Sequence, residues 1–226
     1  MNNFLNNIDS SLLGGQLSPP WLTKMQQERN EEAMAPLLKA LTLARDCITE
    51  QKTLKNSDIE QGLLMAGVLA RMNLDAETLA AACIYSLVRD QIVSFSLVNE
   101  TLGPSIHKLL SGVEKMAAVR SLQNSTVSSG KVAMDPLRHM LLAMVDDSRV
   151  ILIKLAEQIS LLHAAKTMDE KTRINLANET KDIYAPLANR LGIGQLKWEL
   201  EDFSFRYLQS EQYNFIAESL VEKRID

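Results

Sequence analysis

The sequence predicts an all-α protein, a multi-helix bundle, and three observations carry that reading. Glycine and proline are scarce, nine and six in 226 residues, and they fall at breaks between apolar stretches. From Trp21 onward apolar residues recur at helical spacing almost without interruption. No stretch shows the period-two alternation of a half-buried strand, and no internal repeat is visible.

Taken in order, residues 1–20 hold Asn, Ser, Gly and the Pro19-Pro20 pair and read as a flexible arm, with a short amphipathic turn at Phe4 and Leu5. The arm is taken to end at residue 30, and the domain body to cover residues 31–208. Leu37, Leu38, Leu41, Leu43, Ala44 and Ile48 mark the first long helix. Ser57-Asp-Ile-Glu60 is a capping box, in which hydroxyl and carboxylate satisfy N–H groups that a helix start leaves bare. It opens a helix through Met65, Val68, Leu69 and Met72, and Asp75 caps the next, which runs to about Val88. A short helix near Leu97 ends at Gly103. Pro104, whose fixed φ suits a first helical position, starts another that carries Ile106, Leu109, Leu110, Val113 and Met116. Residues 121–134, rich in Ser, Thr and Gly and without a period, are expected to be a mobile loop. Pro136 begins a helix through Met140, Leu141, Met144 and Val145. Long helices are expected near 148–165, 169–189, 195–208 and 211–223.

Two stretches, 79–90 and 150–162, are apolar nearly all round, which places both inside the core. A polar residue on such a helix is either paired or functional. The residues in question are Tyr85, Ser86, Arg89, Asp90, Glu157 and Gln158, and they do not add up to an obvious catalytic set. The plain readings are that Tyr85 packs with its hydroxyl on a backbone carbonyl, that Arg89 and Asp90 lie at an exposed helix end, and that Glu157 pairs with Lys154. His107, His139 and His163 do not cluster; His139 and Asp146, seven apart, share a helix face. The helix after Gly194 carries Leu196, Leu200, Phe203 and Tyr207 on one face, and Trp198, Phe205 and Leu208 add a second. Such a helix is sandwiched between neighbours or meets another domain.

Bulk properties narrow the classes. A hydrophobic content of 46% supports a sizeable core, and a net charge of −4 gives no basic excess for nucleic acid. Cys47 and Cys83 sit in apolar helical contexts and read as reduced core thiols of a cytoplasmic protein. No apolar run reaches the roughly 18 residues of a membrane span, and no secretory signal is apparent.

Three segments carry a resemblance to a known family. They are Met72-Asn-Leu-Asp-Ala-Glu-Thr-Leu-Ala-Ala-Ala82, Leu141-Leu-Ala-Met-Val-Asp-Asp-Ser-Arg-Val-Ile-Leu-Ile-Lys-Leu-Ala156, and the long run from Thr180-Lys-Asp-Ile-Tyr-Ala-Pro through Leu196-Lys-Trp-Glu-Leu-Glu-Asp-Phe203. Over about 60–226 the chain resembles the amino-terminal hydrolase domain of the RelA/SpoT family of guanosine tetra- and pentaphosphate enzymes. That resemblance implies an all-helical HD-type fold. In active members it implies removal of pyrophosphate from the alarmone by a metal, typically manganese, held by a His, a His-Asp pair and a distant Asp. A Glu-Asp pair helps to activate water, because the attacking water must lose a proton near neutral pH.

The chain departs from that pattern at almost every position. The first His falls at Gln61, the His-Asp pair at Tyr85 and Ser86, and the Glu-Asp pair at Arg89 and Asp90. The distant Asp falls at Glu157 and a substrate-side Asn at Leu161. These positions are read as degenerate, with no catalytic, cofactor or metal residue and no cofactor, and the chain as given as not an enzyme. The substitutions resemble the RelA branch of GTP pyrophosphokinases, which implies an inactive, regulatory hydrolase-like domain in alarmone metabolism and the stringent response. The alternatives are a guanosine-phosphate-binding module without turnover and an active manganese-dependent 3′-pyrophosphohydrolase. The implied partner is the synthetase domain. The chain stops at Asp226, about where that domain would begin, and is expected to be an excised or naturally truncated piece whose residues 209–226 form a helix leading toward it. Self-association through the Trp198-Phe205 face is a further expectation; ribosome contact belongs to other domains, and no membrane or nucleic-acid partner is expected.

Overall fold

The computed structural model describes residues 20–50, 56–126 and 147–222, and every regular element among them is helical. The order is α1 (Pro20–Glu28), α2 (Glu31–Glu50), α3 (Asn56–Ala70), α4 (Ala76–Arg89), α5 (Phe95–Leu102), α6 (Pro104–Thr126) and α7 (Ser148–Ala164). A 3₁₀ turn (Ala165–Thr167) and α8 (Glu170–Glu179) follow. A π-helical turn (Thr180–Tyr184) then leads to α9 (Ala185–Arg190), α10 (Gly194–Leu208) and α11 (Ser210–Glu222). The all-α expectation holds. Of the arm expected over 1–30, residues 20–28 form α1, because Trp21, Leu22 and Met25 share a face and are buried.

The described residues divide into two compact units, and the division falls inside α7, between Ala156 and Glu157. In the first, α4 is the central helix, packed by α2, α3 and α6. Its sequence dictates this. Ala80, Ala81 and Ala82 let neighbours approach closely, and Leu79, Ile84, Tyr85 and Leu87 fill the space, all 0% exposed. Asp75 caps its start as expected, its carboxylate accepting from the Thr78 backbone N–H (3.0 Å) and hydroxyl (2.7 Å). In the second unit α10 is central, with α8, α9 and α11 against it; Leu196 and Leu200 are fully buried and Phe203 nearly so.

Two expectations about elements are corrected. Residues 121–126 belong to α6 rather than to a loop. Ser, Gln, Asn and Thr are only about 0.5 kcal/mol per residue worse than alanine in a helix, too little to end one anchored from Pro104 to Met116. The rest of that expected loop, and the helix expected from Pro136, lie outside the described residues. The single helix expected over 169–189 is instead interrupted by the π turn, where the Ala185 N–H donates to the Thr180 carbonyl. Pro186 explains it. Proline has no N–H to donate, and its ring would collide with the carbonyl four residues earlier in a regular α-helix; one wider turn relieves both.

Candidate hydrolase-like site

Five of the seven positions that the family resemblance singles out, Gln61, Tyr85, Ser86, Arg89 and Asp90, lie in the first unit. Gln61 is on α3, and the others are on or at the end of α4. The two helices can lie close because residue 62 is glycine: a Cβ there would collide with the carbonyl oxygen of Cys83. That approach brings Gln61 beside the last turn of α4. The Arg89 guanidinium donates through Nη2 to Gln61 Oε1 (3.3 Å). It also clasps Asp90 with two hydrogen bonds, Nε to Oδ1 and Nη2 to Oδ2, both 2.9 Å. Ser86 is fully buried. Tyr85 is too, with the ammonium of Lys154, itself only 5% exposed, 5.8 Å from its ring centroid, within cation–π range.

The end of α4 is closed by a Schellman motif. The Ile92 N–H donates to the Leu87 carbonyl (2.8 Å) and the Gln91 N–H to Val88 (3.0 Å), with Gln91 in the left-handed region at φ 59°. The same closure ends α9, where Ile193 donates to Ala188 (3.0 Å) and Gly192 to Asn189 (3.1 Å), there with glycine at φ 71°. The plain reading of Arg89 and Asp90 as residues of a helix end is therefore right as far as it goes. The contact to Gln61 is what it missed.

These residues do not suit a divalent cation. A guanidinium has donors only and cannot ligate; it stands between Gln61 and Asp90 and takes up the Asp90 carboxylate. The nearby Cys83 thiol is pushed up to about 12 by burial, so no thiolate forms. Among the described residues no group of three or more His, Cys, Asp or Glu side chains is placed to hold a metal.

Glu157 and Leu161 belong to the second unit. Glu157 is nearly buried, and its carbonyl accepts from the Ser160 hydroxyl (2.7 Å). Leu161 is half-buried. The buried Gln158 amide donates to Thr180 Oγ1 (2.8 Å), whose hydroxyl donates to the Leu176 carbonyl (2.7 Å), so the residue that opens the π turn is held from both sides. The histidines have packing roles: His107 meets the Phe95 ring edge-on (5.5 Å), and His163 meets Phe203 (4.4 Å), with Nε2 3.9 Å from Glu199. His139 and Asp146 lie outside the described residues. Cys83 is buried as expected, whereas Cys47 is only half-buried.

Two features escaped sequence reasoning. One is a charge cluster in the first unit, where Arg149 contacts Asp147 (2.7 Å), Asp75 (3.3 Å) and Glu77 (3.5 Å), and Glu77 accepts from the Ser105 hydroxyl (2.5 Å). The hydrogen bond from Arg149 holds the Asp147 carboxyl below the usual aspartate range, outweighing its partial burial. For Asp75, burial pushes the carboxyl up, and the two Thr78 hydrogen bonds with the Arg149 charge bring it below its usual value. The signal was there in Asp147-Ser-Arg149, an acidic cap at the start of an apolar helix. The other feature is a groove of about 440 Å³ in the second unit, between the π turn with α9 and α10. Sequence reading found one of its walls, Phe205 and Leu208, but not the facing Lys181, Pro186 and Asn189.

The family described as HD domain matches residues 40–194. The chain belongs to that family. It is an HD-type domain of the RelA/SpoT kind, as its relatives show. The GTP pyrophosphokinase of Haemophilus influenzae is 43% identical over 200 residues, 87% of this chain and 27% of that protein. The GTP pyrophosphokinase of Escherichia coli K12 is 47% identical over 169 residues, 74% of this chain and 22% of that protein. A Synechocystis protein named probable guanosine-3′,5′-bis(diphosphate) 3′-pyrophosphohydrolase is 36% identical over 214 residues, 91% of this chain and 27% of that protein. The chain thus spans about a quarter of the length of these relatives. The reading of the chain as not an enzyme is corrected by them: the names they carry, kinase and hydrolase, are those of enzymes. Among the described residues no helix is long and apolar enough to cross a membrane.

Proposed function

We propose that this HD domain is the hydrolase-like, regulatory part of a RelA-type GTP pyrophosphokinase, a cytoplasmic enzyme of guanosine tetra- and pentaphosphate metabolism in the stringent response. The observation that supports this most is the Arg89 guanidinium bonded to both Gln61 and Asp90. Where the family resemblance calls for a water-activating Glu-Asp pair beside the metal ligands, this chain carries a fixed positive charge at Arg89 that takes up Asp90, the acid left of that pair. Manganese-dependent hydrolysis at Gln61, Tyr85, Ser86, Arg89, Asp90, Glu157 and Leu161 then has neither its metal nor its base. The role left to the domain is conformational: by contacts that differ between two states of the enzyme it biases the synthetase domain toward one of them.

Regulation is tested in a full-length GTP pyrophosphokinase that carries this stretch. Deleting residues 1–190 is expected to change how pyrophosphate transfer to GTP responds to its activating signal; an unchanged response overturns the proposal. A second reading has one observation behind it. The Arg89 side chain is 30% exposed, so a charge that repels a metal remains within reach of a phosphate. On that reading the domain binds a guanosine phosphate without turnover, and Arg89→Ala would abolish binding seen by calorimetry.

A further inference from the structure

In the second unit α10 carries two surface features, an exposed ring and one wall of a groove. The indole of Trp198 is 69% exposed. Tryptophan offers a large apolar face and a single N–H donor, and both are poorly served by water. About two to three helical turns further on, Phe205 and Leu208 form a wall of the 440 Å³ groove, with Pro186 opposite. Lys181 and Asn189 line it too, beside the ion pair of Lys197 and Glu201 (3.1 Å), and neither the Lys181 nor the Asn189 side chain makes a hydrogen bond or ion pair among the described residues.

The groove offers what an indole needs. Phe205 and Pro186 supply an apolar slot in which aromatic rings pack edge to face or offset. Lys181 supplies a cation for the ring's negative face. Asn189 supplies a carbonyl acceptor for the indole N–H. A projecting side chain and a cavity suited to it, carried on one helix of the same chain, form a self-complementary surface, which is the condition for a two-fold dimer: each contact is made twice. The 69% exposure of Trp198 is the surface such a pairing would cover.

We propose that two copies of this chain associate through α10, the Trp198 of each seated in the groove of the other between Phe205, Pro186 and Lys181. The contact is smaller than an obligate interface, so association is reversible and depends on concentration. This inference is independent of the regulatory reading above, and its test reads oligomeric state alone.

The test is sedimentation of the chain from micromolar to sub-millimolar concentration, with three variants and one mixture. The parent chain is expected to pass from monomer to dimer. Trp198→Ala removes the projecting group and Lys181→Glu reverses the charge that faces the ring. Both positions are exposed, so folding should be intact, as circular dichroism would confirm. Each is expected to weaken the dimer about tenfold or more, the effect of losing a central aromatic anchor. Leu208→Arg fills the groove with the same result. Mixing Trp198→Ala with Leu208→Arg is expected to restore association in part, because the intact Trp198 of one meets the intact groove of the other. A chain monomeric throughout the range overturns the proposal, including the case in which Trp198 is covered by another part of a longer polypeptide. A dimer indifferent to Trp198→Ala, or a mixture that associates no better than either variant alone, overturns it as well.

Discussion

Arg89 and Gln91 show how much a few atoms decide at the end of one helix. The guanidinium at position 89 reaches a side chain 28 residues away and the carboxylate next to it, and so ties three of the positions that the family resemblance singles out into one hydrogen-bonded cluster. Two residues later Gln91 adopts a left-handed conformation that glycine adopts at the matching place in the second unit. An L residue with a Cβ is disfavoured there by roughly 1 kcal/mol. Gln91→Gly should therefore stabilise the domain by about 1 kcal/mol in chemical denaturation, and Gly192→Ala should destabilise it by a similar amount. Sequence reading placed Arg89 and Asp90 at a helix end, because the end of an apolar run is local information. The bond from Arg89 to Gln61 was not legible, because it depends on how closely α3 and α4 approach.

At the scale of elements, that approach rests on Gly62. A methyl group there meets the Cys83 carbonyl and must push α3 from α4, so Gly62→Ala should cost about 3 kcal/mol in a urea melt. It should also disturb Arg89 and Gln61, one residue away on α3. The start of α4 is held by charge instead. Asp75 and Asp147 both sit below the ordinary aspartate value of 3.8, with Arg149 between them. A carboxyl whose folded value is depressed contributes stability above its unfolded value and loses it as pH falls through the folded one. Melting temperature should thus drop on acidification below 3.8, and Arg149→Ala should shrink that drop while lowering stability at neutral pH. The helices themselves were largely legible: Asp75, Gly103, Pro104 and Gly194 sit at the breaks the structure shows. The π turn was not, since periodicity over 169–189 looks continuous and only Pro186, read for its missing N–H, gives it away.

At the scale of the whole molecule, the all-α class and the HD family followed from pattern and motif. The division inside α7 did not, because an unbroken apolar helix gives no sign of which neighbours each half will pack against. Of the seven positions that the family resemblance singles out, five belong to the first unit and two to the second. The central claim is that these positions no longer assemble a metal-dependent hydrolase. Its most direct test is to titrate guanosine tetraphosphate into the purified chain by calorimetry, with and without manganese, while assaying the same samples for released pyrophosphate. The account predicts no manganese-dependent release, whether or not the nucleotide binds. Release that requires manganese and is lost in Glu157→Gln would contradict it.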